Sequence, residues 1–346
     1  MPDFVRPNIR AMAGYAPGEQ PREDGFVKLN TNENPYPPSP RVFEAIHAAL
    51  TSERLRKYPD PSGLHFRQAA GRVLGVDPDS ILIGNGSDDI LTIVTRACVP
   101  ENGLIVAPMP SYLLYRSLAE LQGAEFRNVA YLPDWSLPSA WPYPRANLTL
   151  VANPNSPSGT LVPYADLEHM AGNLEGLLLV DEAYVDFAEG NCLDLALRRN
   201  VMVTRTFSKF YSLAGVRFGY AVADPALVAE LLKVKDSYNC DVLSLAAAAA
   251  AIEDQDYVRQ IRSRILSTRE RLETGLRQLG FEVQPSQANF VWCRRGQPVK
   301  RVYEGLKRRK VLVRYIDYPG YGDGLRVSVG TDAEIDFLFD ELRAIG

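Results

Sequence analysis

Val201-Met202-Val203-Thr204-Arg205-Thr206-Phe207-Ser208-Lys209-Phe210-Tyr211-Ser212-Leu213-Ala214-Gly215-Val216-Arg217 joins a β-branched run to a hydroxyl-rich turn. The first six residues have the composition of a buried strand. The chain leaves that strand on a lysine flanked by small hydroxyl residues, with an arginine eight positions further on. Read as an ordinary surface turn, Lys209 leaves Thr206, Ser208 and Arg217 without a purpose. The functional reading is a lysine whose desolvated amine forms a Schiff base with pyridoxal phosphate, while Thr206, Ser208 and Arg217 hold the phosphate. A dianion takes several donors and at least one fixed cation, and the arginine fork suits it.

Outward from this stretch, short apolar runs alternate with helix-like segments between about residues 80 and 222. Candidate strands fall at 80–83, 103–107, 124–129, 147–151, 177–180, 201–206 and 218–223, and several are continuous Leu/Ile/Val runs. That is the pattern of an α/β protein whose mostly parallel seven-stranded sheet is covered on both faces by helices. After residue 237 the character becomes helical, with six alanines at 246–251 and a charged periodic stretch at 257–279. From Gly280 an α+β segment follows, with strands expected near 281–284, 289–293, 311–314 and 325–329. The expected organisation is an N-terminal arm (1–35, rich in Pro, Gly and Asn), a large domain (36–245) and a small α+β domain (246–346). The basic cluster Lys307, Arg308, Arg309, Lys310 reads as a solvated helix face ahead of a strand.

Composition narrows the classes. The 346 residues, 46% hydrophobic, supply a large core, and 38 basic against 42 acidic residues argue against nucleic acid as main partner. The longest nearly apolar stretch, 242–252, is far shorter than the about 20 residues of a membrane-spanning helix. The N-terminus has no signal-like apolar segment, so a cytoplasmic protein is expected. Cys98, Cys192, Cys240 and Cys293 show no metal or redox spacing, and His47, His65 and His169 are dispersed. No metal site is expected.

Two further segments carry chemistry. Leu177-Leu178-Leu179-Val180 runs into Asp181-Glu182-Ala183-Tyr184, which sets a carboxylate at the end of an apolar strand. An ionised Asp is costly there without a partner. A protonated pyridine nitrogen is that partner in the functional reading, and it keeps the cofactor ring an electron sink. Tyr184 is then placed to hydrogen-bond the ring's phenolic oxygen. Asn153-Pro154-Asn155-Ser156-Pro157-Ser158-Gly159 and Gly84-Asn85-Gly86-Ser87-Asp88-Asp89 also follow strands, where ligands bind in open α/β sheets. The latter opens a helix whose amides can receive the phosphate.

The order Gly86, Asn155, Asp181 with Tyr184, then Lys209 with Arg217 resembles the fold-type I pyridoxal phosphate enzymes of the class I/II aminotransferase group. Within it, the chain is similar to the histidinol-phosphate aminotransferase family over nearly its whole length. Lys28-Leu29-Asn30-Thr31-Asn32-Glu33-Asn34-Pro35, Tyr58-Pro59-Asp60-Pro61, Pro110-Ser111-Tyr112-Leu113-Leu114-Tyr115 and Leu325-Arg326-Val327-Ser328-Val329-Gly330-Thr331 carry that likeness. The resemblance implies Lys209 as Schiff-base lysine and proton carrier, Asp181 on the pyridine nitrogen and Tyr184 on the phenolic oxygen. It places Tyr112 against the ring face, with Gly86, Ser87, Asp88, Thr206, Ser208 and Arg217 around the phosphate. It implies a homodimer in which Tyr58 reaches the other subunit's cofactor, and Arg326, Arg314, Tyr15 and Asn34 at the substrate. Its activity would exchange an amino group between L-histidinol phosphate and 2-oxoglutarate. Threonine-phosphate decarboxylases and aromatic amino acid aminotransferases share the motifs and stand as alternatives. Many relatives have Asn-Asn-Pro-Thr-Gly where this chain has Asn155-Ser156-Pro157-Ser158-Gly159, so the asparagine's contact to the phenolic oxygen is expected of Asn155.

Overall fold

The computed structural model describes residues 4–14, 18–21 and 23–345. Its strands, in chain order, are β1 (Val27–Leu29), β2 (Ile81–Gly84), β3 (Leu104–Met109), β4 (Glu125–Ala130), β5 (Leu148–Ala152), β6 (Leu177–Asp181), β7 (Val201–Thr206), β8 (Gly219–Ala223), β9 (Glu282–Gln284), β10 (Phe290–Arg294), β11 (Val311–Tyr318) and β12 (Gly322–Ser328). Strands β2 to β8 form one sheet in the order β2-β8-β7-β6-β5-β3-β4. From β4 through β7 all neighbours are parallel, whereas β8 runs antiparallel to both β7 and β2. Every residue of β5, β6, β7 and β8 is buried, which is why these strands read as continuous apolar runs.

The helices are α1 (Pro7–Ala11), α2 (Pro40–Ala49), α3 (Ser52–Leu55), α4 (Leu64–Leu74), α5 (Ser87–Cys98), α6 (Leu114–Gln122), α7 (Tyr164–Asn173), α8 (Pro225–Leu231), α9 (Val242–Glu253), α10 (Gln255–Gln278), α11 (Lys300–Arg308) and α12 (Asp332–Ile345). Strand side chains alternate between two cores. Val180, Val203 and Val222 pack with Phe66 of α4, Leu167 of α7 and the alanines of α9 on one face. Leu179, Met202 and Ala221 pack with Leu91 of α5, Leu118 of α6 and Val228 of α8 on the other. Helix α9 has no polar face over its alanine run because it is itself interior, lying against α2 and α4. Its N-terminus is capped by Asp241, which accepts from the amides of Leu243 (2.8 Å) and Ser244 (2.9 Å). No helix of the described residues is long and apolar enough to cross a membrane.

The second sheet has the order β1-β11-β12-β10-β9. Here the structure adds to the reading of the first 35 residues as an extended arm: Val27, Lys28 and Leu29 pair in parallel with Val311, Leu312 and Val313. A three-residue strand between Gly/Phe and Asn has no periodicity to betray it. The pairing delivers the following residues, 30–34, to the mouth of the large sheet's C-terminal edge. The arm's start is also tied down, since Asn8 Nδ2 donates to the Glu120 carbonyl at 2.7 Å.

Candidate active site

A cleft of about 610 Å³ opens where the C-terminal ends of β5, β6 and β7 face the β11–β12 hairpin. Its inner corner is built for an anion. Ser87 and Asp88 open α5 behind Gly86, and the first-turn amides of a helix have no partner within it. Gly86 has φ +84°, and a Cβ there would stand 2.7 Å from Arg217 Nη2. A Cβ on Gly219 would stand 2.6 Å from the Ser87 amide nitrogen, so both glycines keep this corner open. Arg217 Nη1 donates to Ser208 Oγ at 3.1 Å, and Thr206 Oγ1 donates to the same oxygen at 3.1 Å. Asp88 sits 3.8 Å from Arg217 and accepts from the Tyr112 hydroxyl at 3.2 Å. Ser87, Asp88, Tyr112, Thr206, Ser208 and Arg217 line the cleft, with Gly86 and Gly219 behind them.

At the centre, Asp181 ends β6 with 5% exposure. Its Oδ2 accepts from the Tyr115 hydroxyl at 2.8 Å and its Oδ1 from the Ala183 amide at 3.2 Å. Burial pushes its carboxyl up to about 6, and these donors offset only part of that. Among the described residues no cation pairs with this carboxylate. Lys209 Nζ donates to the Thr31 carbonyl at 2.9 Å. Burial first, then the Arg326 charge, bring its amine down to about 8, against the opposing pull of Glu33 and Asp88. Tyr184 packs edge-on against Phe290, and its hydroxyl accepts from Asn32 Nδ2 at 3.0 Å. Burial raises that hydroxyl above its ordinary value.

The outer wall is cationic. Arg314 and Arg326 stand directly opposite each other on β11 and β12, and both line the cleft. Like charges at paired positions repel unless an anion lies between or beside them. Arg326 is aimed by two bonds, to Ser156 Oγ at 2.8 Å and to the Asn30 carbonyl at 2.9 Å.

Two expected site residues lie outside the cleft. Asn155 does not reach the cleft: its amide is buried and donates to the Pro110 carbonyl (3.1 Å) and Ser158 Oγ (3.0 Å), and Ser156 takes its place on the wall. The reason is the turn itself, in which Asn155 also pairs its backbone with Thr160 and Gly159. Asn34 does not line the cleft either. Its amide nitrogen donates to the Phe210 carbonyl at 2.8 Å and its oxygen accepts from the Tyr36 amide, so it pins the arm beside Lys209. Tyr58 is 78% exposed, outside the cleft of its own chain, and stacks on Tyr238 with ring centres 4.4 Å apart. Tyr15 lies outside the described residues.

Sequence reading expected the segment 30–34 over the active site but not the individual contacts of Asn30, Thr31 and Asn32, and it assigned no role to Tyr115 or Ser156. Tyr115 lies on α6 three residues after Tyr112, which precedes that helix, and the two rings meet edge to face with centres 5.6 Å apart. The others act through tertiary contacts with no local signature.

The residues present fit pyridoxal phosphate: an open anion corner, a buried acid without a cation, and an amine held in a dry site beside them. The model of the family "Aminotransferase class I and II" matches residues 24–342. A histidinol-phosphate aminotransferase of Rhodopirellula baltica is 50% identical over 96% of this chain and 92% of its own length. The histidinol-phosphate aminotransferase 1 of Trichormus variabilis is 46% identical over 99% of both chains. Among solved structures, the Sinorhizobium meliloti histidinol-phosphate aminotransferase in complex with pyridoxal-5'-phosphate superposes with a TM-score of 0.87, 26% identity and 99% coverage of both chains.

Proposed function

The chain belongs to the class I and II aminotransferase family, and we propose from that premise that it moves an amino group between two pairs, interconverting L-histidinol phosphate and 2-oxoglutarate with imidazole-acetol phosphate and L-glutamate, in histidine biosynthesis. The carrying observation is the Arg314–Arg326 pair facing Lys209 across one cleft. A phosphate ester and a dicarboxylate each bring an anion complementary to these two guanidinium groups, so one cationic wall serves both half-reactions in turn.

Pyridoxal phosphate, when bound, supplies the sink for the electron pair left at the substrate's α-carbon as its proton departs. Ser87, Asp88, Thr206, Ser208 and Arg217, backed by Gly86, would hold its phosphate. Asp181 would pair with its pyridine nitrogen, Tyr112 would lie against its ring and Tyr184 would donate to its phenolic oxygen. Lys209 Nζ, with its proton affinity lowered to about 8, is the base that takes the α-proton and the acid that returns it. Arg326 fixes the acidic end of the substrate, with Arg314 beside it, which sets the α-carbon against Lys209.

The same reading makes the enzyme a homodimer. The exposed Tyr58, with the exposed Phe43, Leu50, Leu55 and Leu64 of the same region, supports an interface through which Tyr58 reaches the partner's phosphate site. The three-part organisation 1–35, 36–245 and 246–346 belongs to the same reading, with its second boundary falling inside α9, which packs on α2 and α4 of the large domain, and with β1 of the arm serving the C-terminal sheet. A cytoplasmic location is supported by the four free cysteines.

The test is an absorption spectrum of the purified protein, alone and after each donor. A band near roughly 410–430 nm that both L-glutamate and L-histidinol phosphate convert to one near roughly 330 nm is the expected result. A band that neither donor alters would overturn the substrate assignment. Release of CO2 from O-phosphothreonine, without glutamate formation from histidinol phosphate, would replace it with the decarboxylase.

A further inference from the structure

Three consecutive residues of the arm each touch a different reactive side chain. The Asn30 carbonyl accepts from Arg326 at 2.9 Å, the Thr31 carbonyl accepts from Lys209 at 2.9 Å, and the Asn32 amide donates to the Tyr184 hydroxyl at 3.0 Å. Asn32 is 1% exposed and sits at φ +56°, a left-handed conformation that Asn tolerates. Its remaining polar groups are all engaged. Its backbone N–H donates to Ser328 Oγ at 2.8 Å, its carbonyl accepts from Asn289 Nδ2 at 2.9 Å, and its Oδ1 accepts from Ser328 Oγ at 3.1 Å.

The direction of this chain of bonds follows from its first member. A backbone N–H can only donate, so Ser328 Oγ accepts from it and keeps its own proton for Asn32 Oδ1. The amide nitrogen of Asn32 then faces Tyr184 and occupies a lone pair of the phenol oxygen. The phenol's own proton is left to donate elsewhere, and a hydroxyl that accepts one hydrogen bond is a stronger donor in the next. Tyr184 lines the cleft with Lys209 and Asp181. On the turn after β5, by contrast, the amides of Asn153 and Asn155 are spent on buried partners, so no amide there supplies a donor to the cleft.

We propose that Asn32 is a positioning residue for Tyr184, its amide holding the tyrosine hydroxyl as a donor toward the phenolic oxygen of the cofactor. The proposal rests on the reading of Tyr184 as that oxygen's partner. A donor aimed at the phenolic oxygen favours the form in which this oxygen carries most negative charge, after the bound cofactor has lost its proton. It therefore lowers the pH at which the visible band titrates.

The experiment follows that band against pH in the holoenzyme and in Asn32→Gly, Asn32→Asp and Ser328→Ala holoenzymes. Gly keeps the left-handed turn and deletes the amide. Asp keeps the shape but presents an acceptor to Tyr184. The midpoint should rise by about one pH unit in both Asn32 variants and by less in Ser328→Ala. On a Tyr184→Phe background, Asn32→Gly should add nothing, because the two residues act in series. Wild-type midpoints accompanied only by lower thermal stability would make Asn32 structural and overturn the proposal, as would an undiminished shift in the double variant. If the Asp variant fails to fold, Gly alone decides. A wild-type protein with no visible band overturns the cofactor assignment instead, while a band that histidinol phosphate leaves unchanged overturns only the substrate and leaves this titration valid.

Discussion

The cleft has two walls of different construction. On the large-sheet side, Asp181 closes β6, Thr206 closes β7 and Lys209 follows three residues later, each borne by strands buried on both faces. On the other side, Arg314 and Arg326 ride on a hairpin, and residues 30–33 follow a strand of three residues. That second wall is assembled by contacts between segments far apart in sequence, such as Asn32 with Ser328 at a separation of 296 residues. The first wall is fixed by the core of the large sheet. The second is in place only when the arm is seated on the small sheet, so the groups that hold substrate depend on tertiary assembly more than the groups that do the chemistry.

The largest effects should separate the walls kinetically. Lys209→Ala removes the proton carrier and should lower kcat by roughly 10²–10⁴-fold with every donor. Arg326→Gln should instead act mainly through KM, weakening histidinol phosphate and glutamate together by about 10–100-fold in kcat/KM. Steady-state kinetics with both donors distinguishes them. An Arg326→Gln enzyme that loses kcat alone, with KM unchanged, would break the division between the walls.

That division also governs how much of the molecule was legible in its sequence. All seven strands of the large sheet were read within a residue or two, several of them because continuous Leu/Ile/Val runs at strand spacing have few alternative readings. Asp181, Tyr184, Lys209 and Arg217, which line one cleft, were singled out because each lies within a dozen residues of a strand end. The arm's β1 was missed because three residues carry no period. Asn155 and Asn34 were placed by position in a motif, yet local turn geometry decided where each amide points, and both turned to backbone carbonyls. Asn32 and Ser156 meet their partners 152 and 170 residues away, and no local pattern encodes such a meeting.

An intermediate effect should show what the inner wall costs the fold. Asp181 is buried, with its carboxyl raised from 3.8 to about 6. A raised acid contributes stability that is fully present below pH 4 and lost as pH rises through 6, so at pH 7 the cofactor-free protein carries a buried charge without a cation. Asp181→Asn is neutral throughout. In denaturant melts of the cofactor-free protein it should be more stable than wild type at pH 7–8, by about 1–3 kcal/mol, with the gain vanishing toward pH 4. Cofactor affinity should move the opposite way, because the pyridine nitrogen loses its counter-ion. An Asn variant less stable at every pH would mean that the Tyr115 and Ala183 bonds outweigh the burial of charge.

The smallest effect concerns how the arm is held. Lys307 pairs with Glu19 at 2.7 Å, and Lys310 pairs with Glu23, so part of the basic cluster on α11 and just beyond it is spent on arm acids. These side chains are exposed, and exposed pairs are screened by water and salt. The arm is held more firmly by β1 on β11 and by the bonds of residues 30–32. Lys307→Ala should therefore shift the melting temperature by less than about 2 °C and leave kcat, KM and the pH midpoint of the visible band unchanged. A tenfold loss of kcat/KM that 0.5 M salt reproduces in the wild type would assign the seating of the arm to surface charge, and with it the alignment of Arg326 and Tyr184.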